Sequence, residues 1–429
     1  MKTAVRGEIL HLVDDPVQVG EENSYEYIAD GLLIVEDGLI QAIGDAESLI
    51  TTLPEGMPVK HYANALIMPG FVDCHVHYPQ TEMIASYGEQ LLGWLEAYAF
   101  PTERKFEDIN HASDIASFFL EQLLANGTTT AMVFGTVHPQ SVDAFFQQAE
   151  SRNLRMICGK VLMDRNAPAY LQDTAQQGYD DSKRLIEQWH GRGRLSYAVT
   201  PRFAPTSTDE QLSKASELLQ EFPDVYLQTH IAENVDELAW VKQLYPDDAD
   251  YLSVYDRFGL LGKRSVLAHG IHLSDDECEQ LKQRNSAIAF CPTSNLFIGS
   301  GLYNLQQAEK INYKLGFGTD VGGGTSFSLL QTMSEAYKVQ QLRGHRLTAL
   351  KSFYLATLGG ARALDLDGVI GNFALGKEAD FIVLDYQSTP LIAKRMEVCK
   401  NFLEKLFVLA TLGDDRSVKA TYILGEKVS

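Results

Sequence analysis

PGFVDCHVH, residues 69–77, is the stretch on which the fold reading turns. It closes a longer apolar run, ALIMPGFVDCHVH, with two histidines, His75 and His77. Side chains two apart on a strand project to the same face, so both imidazoles reach one point. Seven runs of the same character follow: TTTAMVFGT from Thr128, LRMICGKVLMD from Leu154, LSYAVTPRF from Leu195, DVYLQTHIAE from Asp224, SVLAHGIHL from Ser265, SAIAFCPTS from Ser286 and YKLGFGTDV from Tyr313. Strands buried on both faces read as continuous apolar runs of this kind. Helical stretches such as VDAFFQQAE, SKRLIEQWH, DEQLSKASELLQEF and DECEQLKQR lie between them and supply the crossovers that parallel strands require.

Eight strand–helix units over residues 67–366 predict an α/β fold, a (β/α)8 TIM barrel. A doubly wound open sheet is the alternative that the pattern leaves standing. The link from Val76 to Thr128 is long for a strand-to-helix connection and is expected to carry an active-site loop. Outside the middle, YIADGLLIVEDGLIQAIGD, GNFALGKEADFIVLD and KATYILGEKVS read as antiparallel strands. Asp30-Gly31 and Asp37-Gly38 are expected to be hairpin turns.

Composition narrows the function classes. With 36 Lys+Arg against 57 Asp+Glu the formal charge is −21, which repels phosphate backbones, so no nucleic-acid partner is expected. The five cysteines, Cys74, Cys158, Cys278, Cys291 and Cys399, are scattered and form no C-x-x-C pair, which points to a reduced, cytoplasmic setting. No apolar stretch is long enough for a signal peptide or a bilayer span, so no membrane partner is expected.

The ionisable residues at the ends of the runs carry the chemistry. His75 and His77 end the first run, His230 the fifth, His269 the sixth and Asp320 the eighth. Barrel enzymes gather their functional groups at the C-terminal ends of several strands. A lone buried histidine is commonly a hydrogen-bonded core residue, but four imidazoles and a carboxylate at strand ends are the ligand types of a divalent zinc or iron site. Glu233, three residues past His230 in HIAE, reads as a general acid/base, or alternatively as a carboxylate stabilised at a helix N-terminus. The H-E-x-x-H spacing of zinc proteases and the H-x-E with P-C-x-x-C signature of the cytidine-type deaminases are both missing. GTDVGGG, residues 318–324, lacks the spacing of a phosphate loop and reads as a turn passing close to the strand ends.

PGFVDCHVH, HIAE, LAHG and GTD, in this order and spacing, resemble the amidohydrolase superfamily over essentially the whole chain. HYPQTEMIASYGEQLLGWLEAYAFPTE from His77 to Glu103, with TPRFAPT and CPTSNLFIGSGL, resembles the guanine-deaminating branch of that superfamily. The resemblance implies a small β-sandwich domain from residues 1–66 plus 367–429 beside the barrel domain of 67–366. It implies His75, His77, His230 and Asp320 as metal ligands, His269 as the partner of the metal-bound water and Glu233 as proton shuttle. Gln80, Arg202 and Phe203, with His230 and Glu233, would hold the substrate, free guanine. Binuclear members bridge two metals with a lysine at the end of the fourth strand. VTPRFAPT has none there, which indicates one divalent ion per subunit, zinc or iron, and leaves Lys160 structural. A homodimer is implied as well. Action on another purine, a pterin or a triazine is the alternative among enzymes of the superfamily, and a non-catalytic scaffold of the same fold, as metal-free relatives in the superfamily are, is the alternative of a different class.

Overall fold

The computed structural model describes residues 2–88 and 90–429. The chain enters through β1 (Lys2–Leu12), β2 (Tyr25–Glu36), β3 (Leu39–Asp45) and β4 (Val59–Pro69). The run ALIMPGFVDCHVH, expected as one strand, is two: β4 ends at Pro69 and β5 (Phe71–His77) begins a different sheet. Gly70 is the joint, where any side chain would collide with Thr129. Asp37-Gly38 makes the expected turn between β2 and β3, with φ of 52° and 81°. Asp30-Gly31 does not; both lie inside β2, where Gly31 pairs with Gly7 beside a bulge and packs against Ile9. Close approach of the neighbouring strand, not a turn, is what that glycine serves.

Strands β5, β6 (Thr128–Phe134), β7 (Arg155–Gly159), β8 (Val161–Leu162), β9 (Ser196–Pro201), β10 (Tyr226–Ile231), β11 (Ser265–His269), β12 (Ala287–Phe290) and β13 (Lys314–Phe317) form the second sheet, all paired in parallel. The third apolar run breaks at Lys160 into β7 and β8, both of which pair with β9. Past β13 the chain hydrogen-bonds back to β5: Asp320 N donates to His75 O at 2.9 Å and His77 N to Val321 O at 2.8 Å. The sheet is therefore a nearly closed barrel and not an open doubly wound sheet. Its interior is filled by Val72, Cys74, Met132, Ile157, Tyr226 and Val266. Helices between the strands start at the side-chain caps their sequences supply, as where Thr208 accepts from Gln211 N and Ser274 forms a capping box with Glu277.

The register of β5 shifts between Asp73 and Val76. Val72 and Cys74 belong to the barrel interior and Val76 to the outer core, yet His75 reaches the site at the top of the barrel. Strict alternation from Cys74 would turn His75 outward. The bulge supplies the extra residue that brings both histidines to the inner face.

The terminal segments make one seven-stranded sheet with the order β16–β15–β14–β4–β1–β2–β3, where β14 is Phe381–Asp385, β15 is Val418–Ile423 and β16 is Glu426–Lys427. It closes over itself. Val5, Leu33 and Val35 share one core with Phe381, Val383 and Tyr422, and Ile40 N donates to Lys377 O at 2.8 Å. A buried charge cluster ties this sheet to the barrel. Arg194, just before β9, pairs with Glu378 at 2.6 Å and with Asp380, while Arg155 donates through Nε to Glu378 at 2.8 Å.

Removing one partner of a buried pair leaves the other charge uncompensated, at a cost of about 3–5 kcal/mol. Arg194→Ala is expected to destabilise the protein by about that amount, because Asp380 is only 5% exposed. Urea unfolding checks this; an unmoved midpoint would show that the cluster contributes nothing to holding the two sheets together.

Candidate active site

His75 and His77 end β5, His230 stands one residue from the end of β10, and His269 is the last residue of β11. Asp320 follows β13 by three positions. Their donor atoms converge. His77 Nε2 lies 3.2 Å from His75 Nε2 and 3.2 Å from His230 Nε2, and Asp320 Oδ1 lies 3.2 Å from His75 Nε2 and 3.4 Å from His77 Nε2. Four donors each about 2.0–2.1 Å from a tetrahedral zinc stand about 3.3–3.4 Å apart, so the observed spacings fit such an ion.

The protonation states agree with that fit. Burial pushes His77 and His230 well below the ordinary imidazole value, and the neighbouring histidines push further in the same direction. His230 Nδ1 faces the carbonyl oxygen of Arg202 at 2.6 Å and donates to it, which leaves the Nε2 lone pair pointing into the cluster. Burial favours the neutral acid at Asp320, but His75, His269 and His77 outweigh it and hold the carboxyl far below its usual range. Neutral imidazoles facing one another beside an ionised carboxylate are the donor set of a divalent cation.

Backbone in the left-handed region aims these groups. Ala232 (φ 47°), His269 (φ 75°) and Asp320 (φ 51°) all adopt it, at a cost of about 1–3 kcal/mol each. Asp73 holds the strained end of the barrel. Its carboxylate accepts from Thr319 N at 3.0 Å, from the Thr319 hydroxyl and from His75 N at 3.2 Å. Gly318 lets the β13 end pass beside β5, since a Cβ there would stand 2.8 Å from Cys291 Sγ and 2.9 Å from His75 Cβ. The GTDVGGG turn thus runs close to the strand ends.

His269 Nε2 lies 3.4 Å from Glu233 Oε2 and 3.8 Å from Asp320 Oδ2. Its Nδ1 donates to Asn295 Oδ1 at 2.9 Å, which fixes the ring with Nε2 toward the two carboxylates. Burial lowers the His269 pKa, but Glu233 and Asp320 outweigh it and raise it above the usual value. Glu233 does not serve the following helix. That end is capped by Asn234 and Glu237, and Glu237 also accepts from Glu233 N at 2.8 Å. The Glu233 side chain instead faces the pocket, where burial, reinforced by Asp320, pushes its carboxyl up to about 7, while Ser300 Oγ donates to it at 3.0 Å.

His77, Gln80, Arg202, Phe203, His230, Glu233, His269 and Asp320 line one cavity, which Leu91, Trp94 and Leu95 of the long Val76–Thr128 link cover. His75 sits against this set as part of the imidazole and carboxylate cluster that could hold a metal ion. Lys160 is elsewhere, in a buried pair with Asp173. Three supporting residues were not legible beforehand: Asp73, Asn295 and Glu103. Asp73 carried a signal, an ionisable residue inside an apolar strand; the other two carried none. Glu103, 1% exposed, accepts from Gln80 Nε2 at 2.9 Å and from Arg202 Nη1 at 2.7 Å. Arg202 is accordingly half of a buried ion pair and also part of the cavity lining.

Comparison with known proteins agrees with this construction. The model of the amidohydrolase family matches residues 66–428. A guanine deaminase of Escherichia coli (strain K12) is 54% identical over 428 residues, covering 99% of this chain and 97% of that protein. The solved structure of E. coli guanine deaminase superposes with a TM-score of 0.98 at 53% identity, covering 100% of this chain and 99% of the other. A guanine deaminase from C. acetobutylicum, solved with guanine bound in its active site, gives a TM-score of 0.90 at 28% identity over 100% of both chains. A parallel barrel with imidazoles and a carboxylate gathered at its strand ends, matched along nearly its whole length, places this chain in the amidohydrolase family.

Proposed function

We infer that this chain deaminates guanine by hydrolysis, giving xanthine and ammonia. The observation that carries the reading is its end-to-end similarity to guanine deaminases, and the pocket supports it. A purine carrying a keto group and a ring N–H needs donors and acceptors on one edge, an apolar face and a hydrolytic centre at C2. Arg202 and Gln80 offer the polar edge, Phe203 the aromatic face, and His230, Glu233 and His269 stand on the remaining side.

His75, His77, His230 and Asp320 would hold one divalent ion, for which we propose zinc, with iron suited to the same donors. Such an ion supplies Lewis acidity, which lowers the pKa of water from about 16 to roughly 7. Asp320 and His269 would take the proton of the attacking water and aim its lone pair at C2. Glu233, with a pKa near neutrality, would protonate N3 as electron density moves onto it. It would then take the proton left on the added hydroxyl as the C=O forms and pass it to the departing amine, and the proton held by Asp320 and His269 would restore the acid. Ammonia leaves readily only once that nitrogen is protonated. Arg202 discriminates against a ring bearing an amino group in place of the keto oxygen, because its buried charge would then face another donor.

We propose a domain division of 1–66 plus 367–429 and 67–366; the presence of two separate sheets supports it, with β4 of the terminal sheet running on to Pro69. Among the described residues no helix is long and apolar enough to cross a membrane. The scattered, unpaired cysteines support a cytoplasmic setting, and the family resemblance supports a homodimer.

Ammonia release is expected with guanine and absent or far slower with adenine, cytosine, a pterin or a triazine; turnover of another ring with guanine inert would overturn the reading. Purified protein should carry about one equivalent of zinc or iron, and Glu233→Gln should keep that metal while losing about 10²–10⁴-fold in kcat. Retained turnover would remove Glu233 from the mechanism. Because Glu233 acts first as an acid, kcat/KM should fall as pH rises through about 7. The Ser300 hydroxyl stabilises the Glu233 carboxylate, so Ser300→Ala should move that alkaline limb to higher pH; a limb that stays in place would assign it to another group.

A further inference from the structure

One buried carboxyl group bonded to two residues of the cavity lining is left unused by the proposed chemistry. Glu103 ends the helical turn Phe100–Glu103 in the long link, and its carboxylate is divided between two residues from distant strands. Oε1 accepts from Nε2 of Gln80, in the turn after β5, at 2.9 Å, and Oε2 accepts from Nη1 of Arg202, after β9, at 2.7 Å. Gln80 is held at its other end too, where Gly322 N donates to Gln80 Oε1 at 3.3 Å. The Arg202 guanidinium lies over the Phe100 ring at 5.4 Å, so the same helical turn supplies both its flank and its partner. Among the described residues Glu103 is the only carboxylate paired with Arg202.

Two physical requirements meet here. A buried guanidinium needs a counter-charge, and a neutral purine brings none, so the chain must supply it. A polar edge that reads a ring also needs its groups held at a set spacing, and a carboxylate bonded to both sets it. We propose that Glu103 is a positioning residue that fixes Gln80 and Arg202 relative to each other. It thereby sets the preference of the pocket for neutral rings that present a carbonyl beside a ring N–H. The proposal rests on the assignment of Gln80 and Arg202 as groups that hold the base.

Glu103→Gln keeps the size and removes the charge, turning one of the two contacts into a donor facing a donor. Loss of a hydrogen bond to a charged group corresponds to about 10- to 100-fold, expected mainly in the KM for guanine, with the metal equivalent retained. Glu103→Asp keeps the charge with a shorter reach and should fall between the two. Because Glu103 acts by holding Arg202 against Gln80, adding Glu103→Gln to Arg202→Met should cost clearly less than Glu103→Gln costs in the wild type. A wild-type KM in Glu103→Gln, or a full additive loss in the double variant, would overturn the proposal while leaving the base-holding assignment intact. Arg202→Met with an unchanged KM would remove that assignment itself, and the role of Glu103 with it.

Discussion

Three imidazole nitrogens and a carboxylate oxygen, linked by separations of 3.2–3.4 Å between neighbouring members, are the constraint around which this molecule is arranged. Such a cluster is unfavourable on its own: the rings are neutral, buried and face one another through lone pairs. It persists only because the barrel over-determines it. The bulge in β5 turns His75 inward, the left-handed backbone at His269 and Asp320 redirects two strand ends, and Asp73 clasps Thr319 across the barrel seam. Each device has a local cost that the surrounding packing offsets, and a divalent cation between the donors would convert their repulsion into coordination.

Around that centre the carboxylates are sorted by their neighbours. Asp320 lies among histidines and stays ionised, while Glu233, buried with Asp320 close by, is pushed up to about 7. Glu103 lies against Arg202 as its counter-charge. Buried Asp and Glu carboxylates thus stand close together, and their surroundings alone push Asp320 and Glu233 in opposite directions.

The terminal sheet contributes to the site indirectly. Pro69 and Phe71 stand in different sheets with only Gly70 between them, so the strand carrying His75 and His77 is anchored from below by β4. Arg194 and Arg155 pair with Glu378, and Arg194 with Asp380, which fastens the barrel to the same sheet a second time.

Much of this was legible in the residues alone. Apolar runs marked the barrel strands, because a strand buried on both faces has no polar periodicity, and in the first, fifth and sixth runs a histidine stands where the strand leaves the core. What only the tertiary structure decided were matters of long-range contact. Alternation would have turned His75 outward, and pairing of β5 with β6 set the bulge that turns it in. Asp30-Gly31 looks like a turn until β1 lies against it. Glu103 reaches Gln80 and Arg202 across 23 and 99 positions of chain, and Asn295 reaches His269 across 26. Local pattern records which face of an element is buried; which residue meets which depends on closure of the barrel, and no short stretch of sequence contains both partners.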